Sequence, residues 1–138
     1  MTKRKTIFLA DDDIDDQGLF ADALKDIDNE ITLVTAVNGL EALAVAKGLQ
    51  SAPDFIFLDM NMPLMNGMQC LQELKKIPSM TEVPVIIYST SSYKKDIEKA
   101  KLAGATDYIV KPFSFAELRE KIRSILDGHD GQAKSWTS

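Results

Sequence analysis

The stretch "DFIFLD", residues 54–59, sets four apolar residues between two aspartates. A run without polar alternation leaves no face for water. It reads as a strand covered on both sides, as in a parallel sheet. Four further β-rich runs share this near-continuous character: "TIFLA" (6–10), "ITLVTA" (31–36), "VPVIIYS" (83–89) and "DYIV" (107–110). Helical spacing fills the gaps between them. Residues 14–28 put Phe20, Ala23, Leu24 and Ile27 on one face, and residues 39–50 do so with Leu43, Ala46 and Leu49. Residues 67–77 offer Leu71, Leu74 and Ile77. Residues 93–103 carry the weakest pattern, with Ile97, Ala100 and Ala103, and residues 114–127 the clearest, with Leu118, Ile122, Ile125 and Leu126. Ser114 and Glu117 have the spacing of a capping box for that last helix. Five βα units predict an open, doubly wound α/β sheet.

The 138 residues suit one domain, and 45% hydrophobic content supplies a core. Sixteen basic and 21 acidic residues leave a net charge of −5, which weighs against a nucleic-acid surface. No apolar run is long enough to cross a membrane, and the N-terminal apolar run is too short for a signal peptide. The single cysteine, Cys70, cannot form an internal disulfide and reads as a small buried hydrophobe. A cytoplasmic protein is expected. Residues 1–127 form the expected domain. Residues 128–138 form a flexible tail that carries His129 and Trp136.

Ligands of such a sheet bind beyond the carboxyl ends of its strands. Strand one ends at Asp11 and Asp12, strand three at Asp59, strand four at Ser89 and Thr90, and strand five at Lys111 and Pro112. Three carboxylates, a hydroxyl and an ammonium thus meet on one edge. Crowded carboxylates need a cation or a raised pKa. Hard oxygen ligands favour Mg²⁺, which also takes a phosphate oxygen. A lysine supplies a point charge for a phosphoryl group. This set suits phosphoryl transfer to a carboxylate.

These pieces resemble the receiver domain of two-component response regulators. The resemblance rests on the acidic pair in "LADDD", on "FLDMNMPLMNG", "PVIIYST" and "AGATDYIVKPF", and on their order, and it covers residues 5 to about 127. It implies a flavodoxin-like (βα)5 fold with strand order 2-1-3-4-5. Asp59 resembles the phospho-acceptor. Asp12 would bind Mg²⁺ directly, Asp11 mainly through water, and the Asn61 backbone carbonyl would complete the protein's share of the shell. Ser89 fills the switch-hydroxyl position, and the Thr90 backbone N–H would reach the phosphoryl group. Lys111 would pair with that group, with a cis Lys111–Pro112 bond. Tyr108 sits at the aromatic switch position. Thr90 is bulkier than the Ala or Gly often found there, and the tract "STSS" (89–92) is unusually hydroxyl-rich.

The remaining acids of the opening cluster read as structural. Asp13 is an N-cap, and Asp15 and Asp16 favour the helix dipole. On this reading neutralising Asp12 abolishes Mg²⁺ binding, and neutralising Asp16 leaves it nearly intact. Pro63 and Gly67 shape the turn beside Asp59. Met60, Met62, Met65 and Met68 read as adaptable packing. The expected function is that of a stand-alone receiver in a phosphorelay. A histidine kinase or phosphotransfer protein donates to Asp59, and an effector reads the face of helix four, strand five and helix five, which also suits a homodimer. An aspartyl-nucleophile phosphohydrolase is the enzyme alternative, but it would need an acid where Asn61 stands. A receiver-like binding module that is never phosphorylated is the third reading. A dinucleotide site fails because no G-x-G-x-x-G follows strand one.

Overall fold

A computed structural model describes residues 5–128. The order of elements is β1 (Thr6–Ala10), α1 (Ile14–Ile27), β2 (Thr32–Ala36), α2 (Gly39–Gly48), β3 (Phe55–Leu58), α3 (Gly67–Leu74), β4 (Val85–Ser89), α4 (Lys94–Leu102), β5 (Asp107–Val110) and α5 (Phe115–Gly128). A single 3-10 turn, Pro78–Met80, follows α3. The tail from 129 onward, with His129 and Trp136, lies outside the described residues. No helix among the described residues is long and apolar enough to cross a membrane.

The strands form one parallel sheet in the order β2-β1-β3-β4-β5. Alternate residues of the central strands feed two separate cores, because successive side chains point to opposite faces. Phe8, Ile56, Leu58, Val85 and Ile87 pack with α2 and α3 through Ala42, Ala46, Cys70, Leu71 and Leu74. Ile7, Leu9, Phe55, Phe57 and Ile86 pack with α1 and α5 through Phe20, Leu24, Leu118, Ile122 and Leu126. This is why "FIFL" has no polar residue: all four positions of β3 are buried. The outer strands differ. β2 buries only Ala36 fully and β5 only Ile109, since an edge strand has one neighbour. The Phe20 ring meets Phe57 edge-on at 4.9 Å and Tyr88 at 5.5 Å, which fixes α1 over the sheet.

The chain leaves β1 toward β2 and then returns past it to β3. With right-handed crossovers, α1 falls on one face and α2 on the other. The two connections part between β1 and β3, and that divergence opens a crevice at the carboxyl end of the sheet. Ala10 pairs with Leu58 there, so Asp11 and Asp59 emerge side by side. The methionines behave as packing. Met60 and Met62 are buried, and Met65 and Met68 lie against the same core. Cys70 is wholly buried, and burial pushes its thiol up to about 12.

Candidate functional site

Backbone hydrogen bonds fix the strand ends. The Asp11 N–H donates to Ala36 O at 3.0 Å, the Asp59 N–H to Ala10 O at 2.9 Å, and the Lys111 N–H to Ser89 O at 2.7 Å. The ends of β1, β3 and β5 thus present one side chain each to the crevice. Carboxylate oxygens of Asp11, Asp12 and Asp59 lie within 4.8 Å of one another. Asp11 and Asp59 are buried, whereas Asp12 is exposed. Asp11 Oδ1 accepts from the Asp13 N–H at 3.0 Å, and Asp59 Oδ1 accepts from the Asn61 N–H at 3.1 Å. The other oxygen of each carboxylate faces Lys111.

Lys111 Nζ lies 2.9 Å from Asp11 Oδ2, 2.8 Å from Asp16 Oδ2 and 3.2 Å from Asp59 Oδ2. It also sits 5.0 Å from the centre of the Tyr88 ring. The contact with Asp11 has the distance of an ion pair without hydrogen-bond geometry, and Asp11 Oδ2 is buried with no hydrogen-bond partner. Burial, above all, pushes the Asp11 carboxyl up to about 7. The Asp13 N–H and Lys111 oppose the rise, and the Asp59 charge adds to it. Burial works against the Lys111 ammonium as well. Its hydrogen bond with Asp16 and its contacts with Asp11 and Asp59 outweigh that and hold its pKa above the ordinary lysine range. Four carboxylates against one ammonium leave the crevice negative. A buried carboxylate oxygen without a hydrogen-bond partner, beside two further carboxylates, is a hard-oxygen donor set, which fits Mg²⁺.

Ser89 is fully buried, and its Oγ accepts from the Ser91 N–H at 3.1 Å. Ser91 is the centre of the next loop. Its Oγ donates to Asp96 Oδ2 at 2.5 Å, and its carbonyl accepts from the Tyr108 hydroxyl at 2.8 Å. Tyr108 therefore bonds to the β4–α4 loop. Thr90, between the two serines, is exposed.

Three features depart from the sequence reading. Asp16 is more than a helix-dipole residue, because it holds Lys111. Side chains of a helix tilt toward its N-terminus, so the first turn of α1 reaches back over the end of β1. Gln17 does the same, its Nε2 donating to Asp11 O at 2.7 Å and Ala36 O at 3.0 Å. Second, no peptide bond among the described residues is cis, so Lys111–Pro112 is trans. The trans form is favoured for X–Pro bonds in general, and the ammonium reaches the acids from it. Third, Ser91 carries most of the donor pattern of "STSS". Its spacing two residues past a strand end is the one signal that points to it. The helix caps agree better. Asp13 Oδ1 accepts from the Asp16 N–H, and Ser114 Oγ accepts from the Glu117 N–H.

The profile of the response regulator receiver domain matches residues 7–123. The chain belongs to the response regulator receiver family. Among curated relatives it is 38% identical over 103 residues to the transcriptional regulatory protein PrrA of Mycobacterium tuberculosis, covering 75% of this chain and 42% of that protein. The chain thus spans less than half of that relative's length. Among solved structures it resembles the phosphorylated cyanobacterial phytochrome response regulator RcpA, with TM-score 0.82, 31% identity and coverage of 91% and 93% of the two chains. It also resembles the receiver domain of the sensor histidine kinase PA1611 from Pseudomonas aeruginosa, with magnesium coordinated in its active-site cleft. That match has TM-score 0.75, 25% identity and coverage of 91% of this chain and 99% of that one. Receiver domains act in two-component systems, bind Mg²⁺ in an acidic pocket, and interact with histidine kinases or phosphotransfer proteins and with effectors.

Proposed function

We propose that this receiver is a phosphorylation-dependent switch whose acceptor is Asp59. One observation carries the reading: the Asp59 carboxylate is held at both ends, by the Asn61 N–H and by Lys111, at the mouth of a crevice lined by Asp11 and Asp12. A nucleophile fixed in this way needs little reorganisation. An oxygen of Asp59 attacks phosphorus as the bond to the donor histidine nitrogen breaks, and an acyl phosphate forms. Water later returns it to carboxylate and inorganic phosphate. Asp11, Asp12, Asp59 and the Asn61 carbonyl would hold Mg²⁺, which supplies positive charge to the phosphoryl oxygens. Lys111 supplies the second positive charge. The Ser89 hydroxyl and the Thr90 N–H donate to the remaining oxygens.

The donor is a histidine kinase or phosphotransfer protein. Ile14, Leu64 and Phe113 support a docking partner at this edge: all three are exposed, and each follows a strand end that feeds the crevice. The output is protein–protein, through α4, β5 and α5. Transfer and hydrolysis occur on the domain's own carboxylate, and position 61 is Asn, so a phosphohydrolase acting on other substrates lacks its general acid.

Incubation with a small phosphodonor and Mg²⁺, read by intact mass, tests the proposal. A gain of one phosphate that vanishes in Asp59→Asn is the expected result. Folded wild-type protein that gains nothing would establish the non-phosphorylated binding module instead.

A further inference from the structure

Two sets of carboxylates overlap in the crevice. The set that suits a divalent cation is Asp11, Asp12 and Asp59. The set around the ammonium is Asp11, Asp16 and Asp59. They share Asp11 and Asp59. Asp12 belongs to the cation alone, and Asp16 to Lys111 alone. A divalent cation on the shared pair would take two of the three counter-charges from Lys111 and repel it. Two cations a few ångströms apart interact strongly in a partly buried site. What remains to the ammonium is Asp16, its nearest partner at 2.8 Å.

Asp16 is placed firmly enough for that task. Its N–H is capped by Asp13 at 3.1 Å, and the neighbouring Gln17 ties the first turn of α1 to the ends of β1 and β2. The lysine is equally constrained, with its N–H on Ser89 O and its ammonium beside the Tyr88 ring. A dipole residue on an exposed helix end would have no such partner. Asp16 is three-quarters covered, with 27% of its side chain exposed.

We infer that Asp16 is a positioning residue for Lys111: it keeps the ammonium beside the acceptor when a divalent cation claims Asp11 and Asp59. This deepens the proposed switch and rests on it for its consequence. Lys111 is then already in place when a phosphoryl group arrives at Asp59, and need not be recovered from solvent.

The test uses the full chain and Mg²⁺ alone. Calorimetric titration of wild type, Asp16→Asn, Lys111→Met and the double variant gives a cycle. Asp16→Asn weakens Mg²⁺ about tenfold in the wild-type background and less than twofold in the Lys111→Met background. Equal weakening in both backgrounds would mean a plain charge effect and overturn the proposal. A second readout needs no Lys111 variant. In wild type the ¹⁵Nζ resonance of Lys111 persists after Mg²⁺ is added, and in Asp16→Asn it is lost to exchange with water. A resonance indifferent to Asp16→Asn also overturns it. Phosphodonor treatment of the wild type separates the two readings. Coupling without phosphate gain removes the switch and keeps the role of Asp16, and phosphate gain without coupling does the reverse.

Discussion

Asp11 is wholly buried, yet it carries a charge only if something compensates it. Its carboxyl rises from an ordinary 3.8 to about 7, chiefly through burial. Below about pH 4 the native and unfolded chains both hold this proton. Between about 4 and about 7 only the native chain holds it. Native stability from this group is therefore present at low pH and lost as pH rises through 7. In chelator, urea midpoints of wild type fall relative to Asp11→Asn across that window. Parallel curves would show that Asp11 is ionised throughout. Mg²⁺ must displace the same proton, so its affinity rises about tenfold per pH unit below 7 and levels off above. Candidate site residues such as Asp11, Asp12, Asp59 and Lys111 are legible in the sequence because each follows or ends a strand, and strand ends share an edge. Asp16 is not, because its role depends on how a helical first turn tilts back over a neighbouring strand. No linear spacing encodes its distance to a lysine 95 residues away.

At the scale of elements, the β3–α3 loop is a tightly constrained connection. The Gly67 N–H donates to Met60 O at 2.9 Å, which closes the loop onto the end of β3. Within it the Met65 N–H donates to Pro63 O at 2.7 Å across Leu64, whose φ of 70° is the left-handed region. A Cβ on Gly67 would stand 2.8 Å from Met60 Cα and still closer to the Asp59 carbonyl. Both obstacles are backbone, so the loop must move. Gly67→Ala is expected to cost about 1–3 kcal/mol by overpacking, with a lower urea midpoint, an unchanged m-value and weaker Mg²⁺ binding. Gly18, exposed in the middle of α1 with nothing within 4 Å of its Cβ position, gives the opposite sign. Gly18→Ala should add about 0.5–1 kcal/mol through helix propensity and reduced unfolded-chain entropy. Similar midpoints for the two variants would refute the steric account. The strands and helices were readable to within a few residues because burial on both faces leaves no exposed position in β3 or β4. The close approach at Gly67 was readable only as a turn residue, since the sequence does not say what the turn packs against.

Across the whole molecule, the helices are held to the sheet unequally. α5 buries Leu118, Ile122, Ile125 and Leu126, while α4 buries only Ala100. The helix with the weakest apolar pattern is thus the one least held by packing, and polar contacts must locate it. They converge on Ser91, which joins Ser89, Asp96 at the start of α4, and Tyr108 on β5. A phosphoryl group that draws the Ser89 hydroxyl away from the Ser91 N–H would disturb all three at once. A small change at a site becomes a larger one where an element has few other contacts. Amide hydrogen exchange is therefore expected to be faster in α4 than in α5, and phosphorylation should change protection most in α4 and β5. Ser91→Ala removes the charge-assisted bond to Asp96 and should cost about 1.5–3 kcal/mol. It keeps the backbone groups that serve Ser89 and Tyr108, and it leaves Asp59 and Lys111 untouched. Phosphate gain at Asp59 should persist in Ser91→Ala, while the exchange response of α4 shrinks and that of β5 remains. An unchanged α4 response would show that the signal reaches this helix by a route other than Ser91.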